Sequence, residues 1–127
     1  MADYREISQQ YAQKGIIGAF VLNGLAAITL LSQASALIER GIAGEIAHTL
    51  YWWAGGTLVA TFTWIIAFIS TRYVDKSERE TSHRVRFETI SDRWMLAGLA
   101  TFIISLLCFA FGSITLGLSF RALGFQH

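Results

Sequence analysis

The sequence predicts an all-α membrane protein built on three transmembrane helices, and three observations carry that prediction. Residues 15–38, 46–71 and 94–118 are apolar runs without a Lys, Arg, Asp or Glu, and together they hold 75 of the 127 residues. As a helix rising ~1.5 Å per residue, each run is ~36 Å or longer, enough to cross a hydrocarbon core of ~30 Å. Only 15% of the residues are charged, against ~25% in an average soluble domain, and so short a chain cannot shield three such helices from water by itself. We therefore expect one polytopic membrane domain over residues 1–127, with no second segment long enough to fold alone.

Residues 1–14 are polar and carry both acids and bases. Tyr4, Ile7 and Tyr11 recur at helical spacing opposite Arg5, Gln9 and Gln13. That is the pattern of a short interfacial helix on the membrane surface, and a polar tail with chance periodicity fits it as well. No cleavage pattern of small residues follows the first apolar run, so the first span is expected to remain as insertion signal and anchor.

Within span one, Gly15, Ala19, Asn23, Ala26, Leu30 and Gln33 fall on one stripe of a 3.5-residue repeat. Small residues let a second backbone approach, and amides in lipid are costly unless paired, so this is a helix-packing face. It serves either the chain's own spans two and three or, alternatively, a seam between subunits or the lining of a pore. The turn at residues 39–45 contains Gly41 and Gly44, which lets spans one and two form a tight antiparallel hairpin. There is no proline, so any kink must come from Gly, Ser or Thr.

Span two contains Gly55, Gly56, Thr57, Ala60, Thr61 and Thr63, and span three contains Gly98, Ser105, Gly112, Ser113 and Gly117. Ser and Thr hydroxyls can bond their own helix carbonyls, so alone they mark no pathway. The small residues signal close packing. Gly55, Gly56 and Gly112 accordingly join Asn23, Gln33, Ala19 and Ala26 as the expected helix-packing set. Tyr51, Trp52 and Trp53 at one end of span two, Tyr73 at its other end and Trp94 at the start of span three read as interfacial aromatic belts.

The segment between spans two and three, residues 72–93, has six bases and five acids. Asp75/Arg79 and Glu80/Arg84 are opposite charges at i,i+4, and Ser77-x-x-Glu80 has the form of a capping box, which makes Ser77 a candidate helix start. His83, Phe87, Ile90 and Trp94 recur at helical spacing into span three. The expectation is a charged helical loop with a break near residues 76–82. It is either a solvated linker or a docking surface using Arg84, Arg86, Phe87 and Ile90.

Arg5, Lys14 and the six bases of this loop share one side of a three-span topology, against Arg40 and Arg121 on the other. That eight-to-two bias predicts a multi-pass membrane protein with a cytoplasmic N-terminus and loop and an outside C-terminus.

Little in the chain speaks for chemistry. The one cysteine, Cys108, lies mid-span without a partner, and reads as a small buried apolar residue. Of His48, His83 and His127 only His48 lies near a span, and a membrane haem would need histidines within spans at matched depth. There is no phosphate-binding loop, no zinc spacing and no intramembrane acid to relay protons. With a net charge of +1, nothing points to nucleic acid. We expect no catalysis, no metal, no cofactor and no nucleic-acid partner, and no small-molecule substrate is evident.

Three resemblances bear on this. Anchor subunits of succinate dehydrogenase share the three-span plan, but their His-containing haem motif has no counterpart here. Three-span phage holins are similar in length and in Gly/Ser-rich spans, yet usually end in a basic cytoplasmic tail, whereas this chain ends Arg121-Ala122-Leu123-Gly124-Phe125-Gln126-His127. The run Leu22-Asn23-Gly24-Leu25-Ala26-Ala27-Ile28 resembles a segment in the first span of small bacterial inner-membrane proteins, which implies a bacterial inner (plasma) membrane and no activity. The functional expectation is a non-catalytic membrane protein acting through helix–helix association, as a homo-oligomer or as an accessory subunit of a larger membrane complex. The alternative is an oligomeric pore-forming or membrane-permeabilising protein, holin-like or a defence effector.

Overall fold

The apolar runs fold as three long helices, and each is long and apolar enough to cross a membrane. The computed structural model describes the backbone of residues 4–124, with side chains described for residues 9–80 and 82–122. The elements in order are α1 (Tyr4–Ser32), α2 (Ala34–Glu39), α3 (Ala43–Arg79), a 3₁₀ turn (Thr81–His83) and α4 (Arg84–Gly124). Among the described residues there is no strand.

Span one is not a single helix to residue 38. It breaks at Gln33, whose backbone sits at φ −104 and ψ 1. Around the break Gln33 N–H donates to the Leu30 carbonyl and Leu37 N–H to the Gln33 carbonyl, both at 3.2 Å. Ser32 contributes by donating its hydroxyl to the Thr29 carbonyl at 2.7 Å, the local competition that bends helices at serine. At the other end, residues 4–14 are the first turns of α1, continuous with the span. Tyr11 is exposed there, with the Lys14 ammonium 5.9 Å from its ring centre. The side chains of Tyr4, Arg5 and Ile7 lie outside the described residues, as does all of His127.

The α2–α3 reversal uses one of its two glycines. Gly41 takes φ +83, and Gly41 N–H donates to the Ile38 carbonyl at 2.9 Å. This left-handed residue just past a helix end is the position that favours glycine. Gly44 already lies inside α3.

The charged segment is helical almost throughout, and its break, at Glu80 and the 3₁₀ turn Thr81–His83, overlaps the expected residues 76–82. Ser77 does not start a helix: it is buried inside α3, and its hydroxyl donates back to the Val74 carbonyl at 2.7 Å. The Glu80 N–H that a capping box would bond donates instead to the Lys76 carbonyl at 2.9 Å, so no capping box forms. The chain turns at Glu80 and the 3₁₀ turn, and α4 begins at Arg84.

Packing follows a seven-residue period. The buried positions of α3 include Ile46, Thr49, Trp53, Gly56, Ala60 and Thr63, alternating in steps of three and four, which is the spacing of a left-handed coiled-coil seam. On α4 the opposing positions Ser91, Gly98, Ser105, Gly112 and Ser119 recur every seven residues and are all Gly or Ser. Gly56 faces Ser105 and Ser70 faces Ser91, so the two antiparallel helices keep one register over two heptads. α1 packs mainly on α3 and also reaches α4. An apolar cluster of Leu30, Leu37, Ile42, Ile46 and Trp53 closes the end of the bundle nearest the α2–α3 turn.

Candidate functional site: a polar node joining the three helices

Span one supplies one carboxamide at mid-depth, and the stripe that carries it faces inward. Asn23 is 0% exposed. Its Nδ2 donates to the Ala19 carbonyl at 3.0 Å, one turn back on α1, and across to α4 at the Ser105 carbonyl, 3.2 Å, and Ser105 Oγ, 3.3 Å. Ser105, also 0% exposed, then donates its hydroxyl to the Gly56 carbonyl of α3 at 2.8 Å. A relay Asn23 N–H to Ser105 O–H to Gly56 C=O thus ties all three spans together. Each link polarises the next, and interhelical bonds in a membrane contribute ~0.6–2 kcal/mol each.

Gly56 is the residue that lets this node close. A Cβ built there would collide with Asn23 Oδ1 and lie 2.6 Å from Asn23 Cγ. Asn23 Oδ1 is buried without a conventional hydrogen-bond donor. It faces the Gly56 Cα–H instead, a weak donor of the kind that recurs at close helix contacts. The neighbouring Gly55 differs: a Cβ there would meet nothing within 4 Å.

Three further polar contacts join α3 and α4 on either side of the node. Trp53 stacks on Phe109, ring centres 6.0 Å apart, and its Nε1 donates to the Phe109 carbonyl at 3.2 Å. Gly112 makes room for it, since a Cβ there would sit 2.5 Å from Trp53 Nε1. Thr63 Oγ1 donates to Thr101 Oγ1 at 2.9 Å, and Thr101 donates in turn to the Gly98 carbonyl at 2.9 Å. Ser70 and Ser91 form a reciprocal clasp: their hydroxyl oxygens are 3.1 Å apart and each reaches the other's carbonyl, at 3.1 and 3.2 Å. Thr49, buried near the α2–α3 end, has an Oγ1 without a partner.

The expected packing set therefore divides. Asn23, Ala19, Gly56 and Gly112 lie at the helix contacts, and Ala26 packs half-buried against the apolar cluster. Gln33 and Gly55 do not join them. Gln33 is exposed at the α1–α2 break, while Leu30 and Leu37 on either side of it stay buried. Trp53, expected in an interfacial belt, is instead a buried donor. Cys108 is half-buried. Thr63 and Ser105 were named in the sequence only among the small and hydroxyl residues of the spans, and Thr101, Ser70 and Ser91 were not singled out. The signal that finds them is the seven-residue recurrence of Gly and Ser along α4, matched by Thr49, Gly56, Thr63, Ser70 and Ser77 on α3.

Beyond the apolar runs, α3 and α4 stay paired into the charged segment. Tyr73 packs on Phe87 with ring centres 6.4 Å apart, and His83 meets Phe87 edge-on. Phe87 is thus turned towards α3, and Ile90 is half-buried. Arg84 and Arg86 are exposed, and Arg84 Nε bonds Glu88 Oε1 at 2.9 Å. That hydrogen bond, with the carboxylate charge, raises the Arg84 pKa above its ordinary value. At the opposite end of the bundle, His48 Nε2 accepts from Trp52 Nε1 at 3.0 Å. Among the described residues no three His, Cys, Asp or Glu side chains come together as a metal site would require. Compared with family models, curated proteins and solved structures, the chain matches none.

Proposed function

We propose that the chain is a non-catalytic, multi-pass subunit of a bacterial inner membrane that acts by association, presenting the charged end of the α3–α4 hairpin to a larger membrane complex. The N-terminus and the hairpin end face the cytoplasm in this reading, and the C-terminus faces outward. The observation that carries it is length. α3 has 37 residues and α4 has 41, about 55 and 60 Å, while crossing the hydrocarbon takes ~30 Å. With the apolar runs ending at Thr71 and resuming at Trp94, residues 72–79 of α3 and 84–93 of α4 project as paired helices in this reading, with Arg72, Asp75, Lys76, Arg79, Arg86 and Asp92 exposed on them. Residues 4–14 lie at the same end in this reading, with Tyr11 and Lys14 at the membrane surface.

Fixed charges on a rigid pair of helices discriminate between partners better than apolar contacts in lipid, where tails are as apolar as Leu. The place of Asn23 favours this reading over a homo-oligomeric pore. Its amide, the polar group mid-way along α1, is enclosed by the chain's own helices, so a ring of copies would have to open each bundle before Asn23 could line a channel. Purification of the tagged chain in mild detergent, with identification of co-purifying chains, tests the proposal. A partner lost on reversing Arg84 and Arg86 to Glu supports it. Co-purification unchanged by that reversal at low and high salt would overturn it.

A further inference from the structure

Where α1 breaks, the bundle opens. A cleft of about 520 Å³ lies between the α1–α2 arm and the ends of α3 and α4, within the ~300–1,000 Å³ range of small-molecule sites. Leu30, Trp53 and Leu116 line its deep end, and Leu37 and Phe120 line it nearer the α2–α3 turn. Gln33 and Arg40 line it towards the turn, and Thr29 adds a hydroxyl beside Leu30. Gln33 and Arg40 are both exposed. Neither side chain has a hydrogen-bond or ion-pair partner among the described residues.

We propose that this cleft binds one anionic phospholipid, with an acyl chain along Leu30, Trp53 and Leu116 and the headgroup phosphate on Arg40 and Gln33. Three features point to that occupant. The deep residues belong to the apolar runs, so the opening meets hydrocarbon and an apolar chain fills it more favourably than water. The one charged lining residue, Arg40, stands towards one end, so the ligand is apolar over most of its length and charged at its head. Arg40 stands two residues past the end of the apolar run 15–38, which places the cation at headgroup level when that run crosses the hydrocarbon. The guanidinium provides the charge and the fork geometry that recognise a phosphate, and the Gln33 amide adds a neutral donor. This inference rests on the cleft and is independent of docking by the hairpin.

The test uses the full chain carrying Trp52→Phe, Trp64→Phe and Trp94→Phe, which leaves Trp53 as the one indole. The protein is reconstituted with phosphatidylglycerol or phosphatidylcholine brominated at mid-chain, and Trp53 quenching is titrated against lipid fraction. Binding of phosphatidylglycerol should exceed that of phosphatidylcholine by about fivefold, the factor expected for one basic side chain on an anionic lipid. Arg40→Gln should bring the two lipids level, and Ala36→Phe, which projects a ring into the cleft, should reduce quenching by both. The unfolding midpoint in dodecyl sulfate should stay unchanged in both variants, which separates site loss from misfolding. Equal quenching by the two lipids in the parent, or quenching indifferent to Arg40→Gln, would overturn the proposal and leave only annular lipid. Cross-linked dimers through Ala36→Cys would likewise overturn it by seating a second copy in the cleft.

Discussion

Replacing Gly56 by Ala adds a single methyl group at the most confined point of the bundle. The new Cβ would collide with Asn23 Oδ1 and lie 2.6 Å from Cγ and 3.0 Å from Nδ2. Asn23 is 0% exposed and held on α1 and α4, so it cannot swing clear without giving up those bonds. Overpacking of this kind costs about 1–3 kcal/mol, and the cost of displaced hydrogen bonds adds to it. Gly55→Ala is the control: it makes the same chemical change one residue away, where a Cβ meets nothing within 4 Å, and should stay within about 0.5 kcal/mol of the parent. Equilibrium unfolding by dodecyl sulfate in mixed micelles, followed by tryptophan fluorescence, reads both. Asn23→Ala removes the atoms that Gly56→Ala strikes. The double variant should therefore fall short of additivity by about 1 kcal/mol or more, the coupling expected of residues in contact. Equal stability of the Gly55 and Gly56 variants, or strict additivity of Gly56→Ala with Asn23→Ala, would refute the node.

Asn23→Leu should destabilise the chain by about 1 kcal/mol through loss of the amide donor, while Ser105 keeps its bond to Gly56; the same titration checks it. Trp53→Phe should lose about 1 kcal/mol by removing the donor to the Phe109 carbonyl while keeping the ring stack, and Gly112→Ala should lose more by pushing the indole off its seat. Ser70→Ala with Ser91→Ala should raise amide hydrogen exchange in residues 72–93 and leave the amides around Asn23 protected, because the clasp lies at the hairpin end of the seam. Reporter fusions should place residue 80 in the cytoplasm and the C-terminus outside, and a cytoplasmic C-terminus would contradict the charge-based orientation.

The helices were legible because lipid imposes one requirement on every residue of a span, and the absence of charge over residues 15–38, 46–71 and 94–118 registers it directly. Asn23 was legible for a related reason: a lone amide in an apolar run must be paired, and the small residues beside it mark the face where that happens. The Gln33 break was harder to read. A 3.5-residue stripe assumes an unbroken helix, and the Ser32 hydroxyl bond that accompanies the break has no sequence pattern of its own. Ser77 shows the same difficulty in reverse. Its capping-box spacing is intact, but its hydroxyl is bonded backward to Val74, and burial against the neighbouring helix keeps α3 running past it. Trp53 was assigned to the membrane interface because tryptophans concentrate there. Gly112, 59 residues away in sequence, provides the space that draws it inward, and no local pattern around Trp53 records that.

The claim that one chain's own helices enclose the Asn23 face is tested most directly by a cross-link between α1 and α3. A Cβ at Gly24 would lie 4.0 Å from Thr57 Oγ1, within reach of disulfide geometry. With Cys108→Ser removing the native thiol, Gly24→Cys and Thr57→Cys should oxidise in native membranes to an internal disulfide. The product should keep the mass of a single chain, less two hydrogens, at every expression level. Disulfide-linked dimers as the main product, or thiols that stay reduced under oxidant, would contradict the enclosed node.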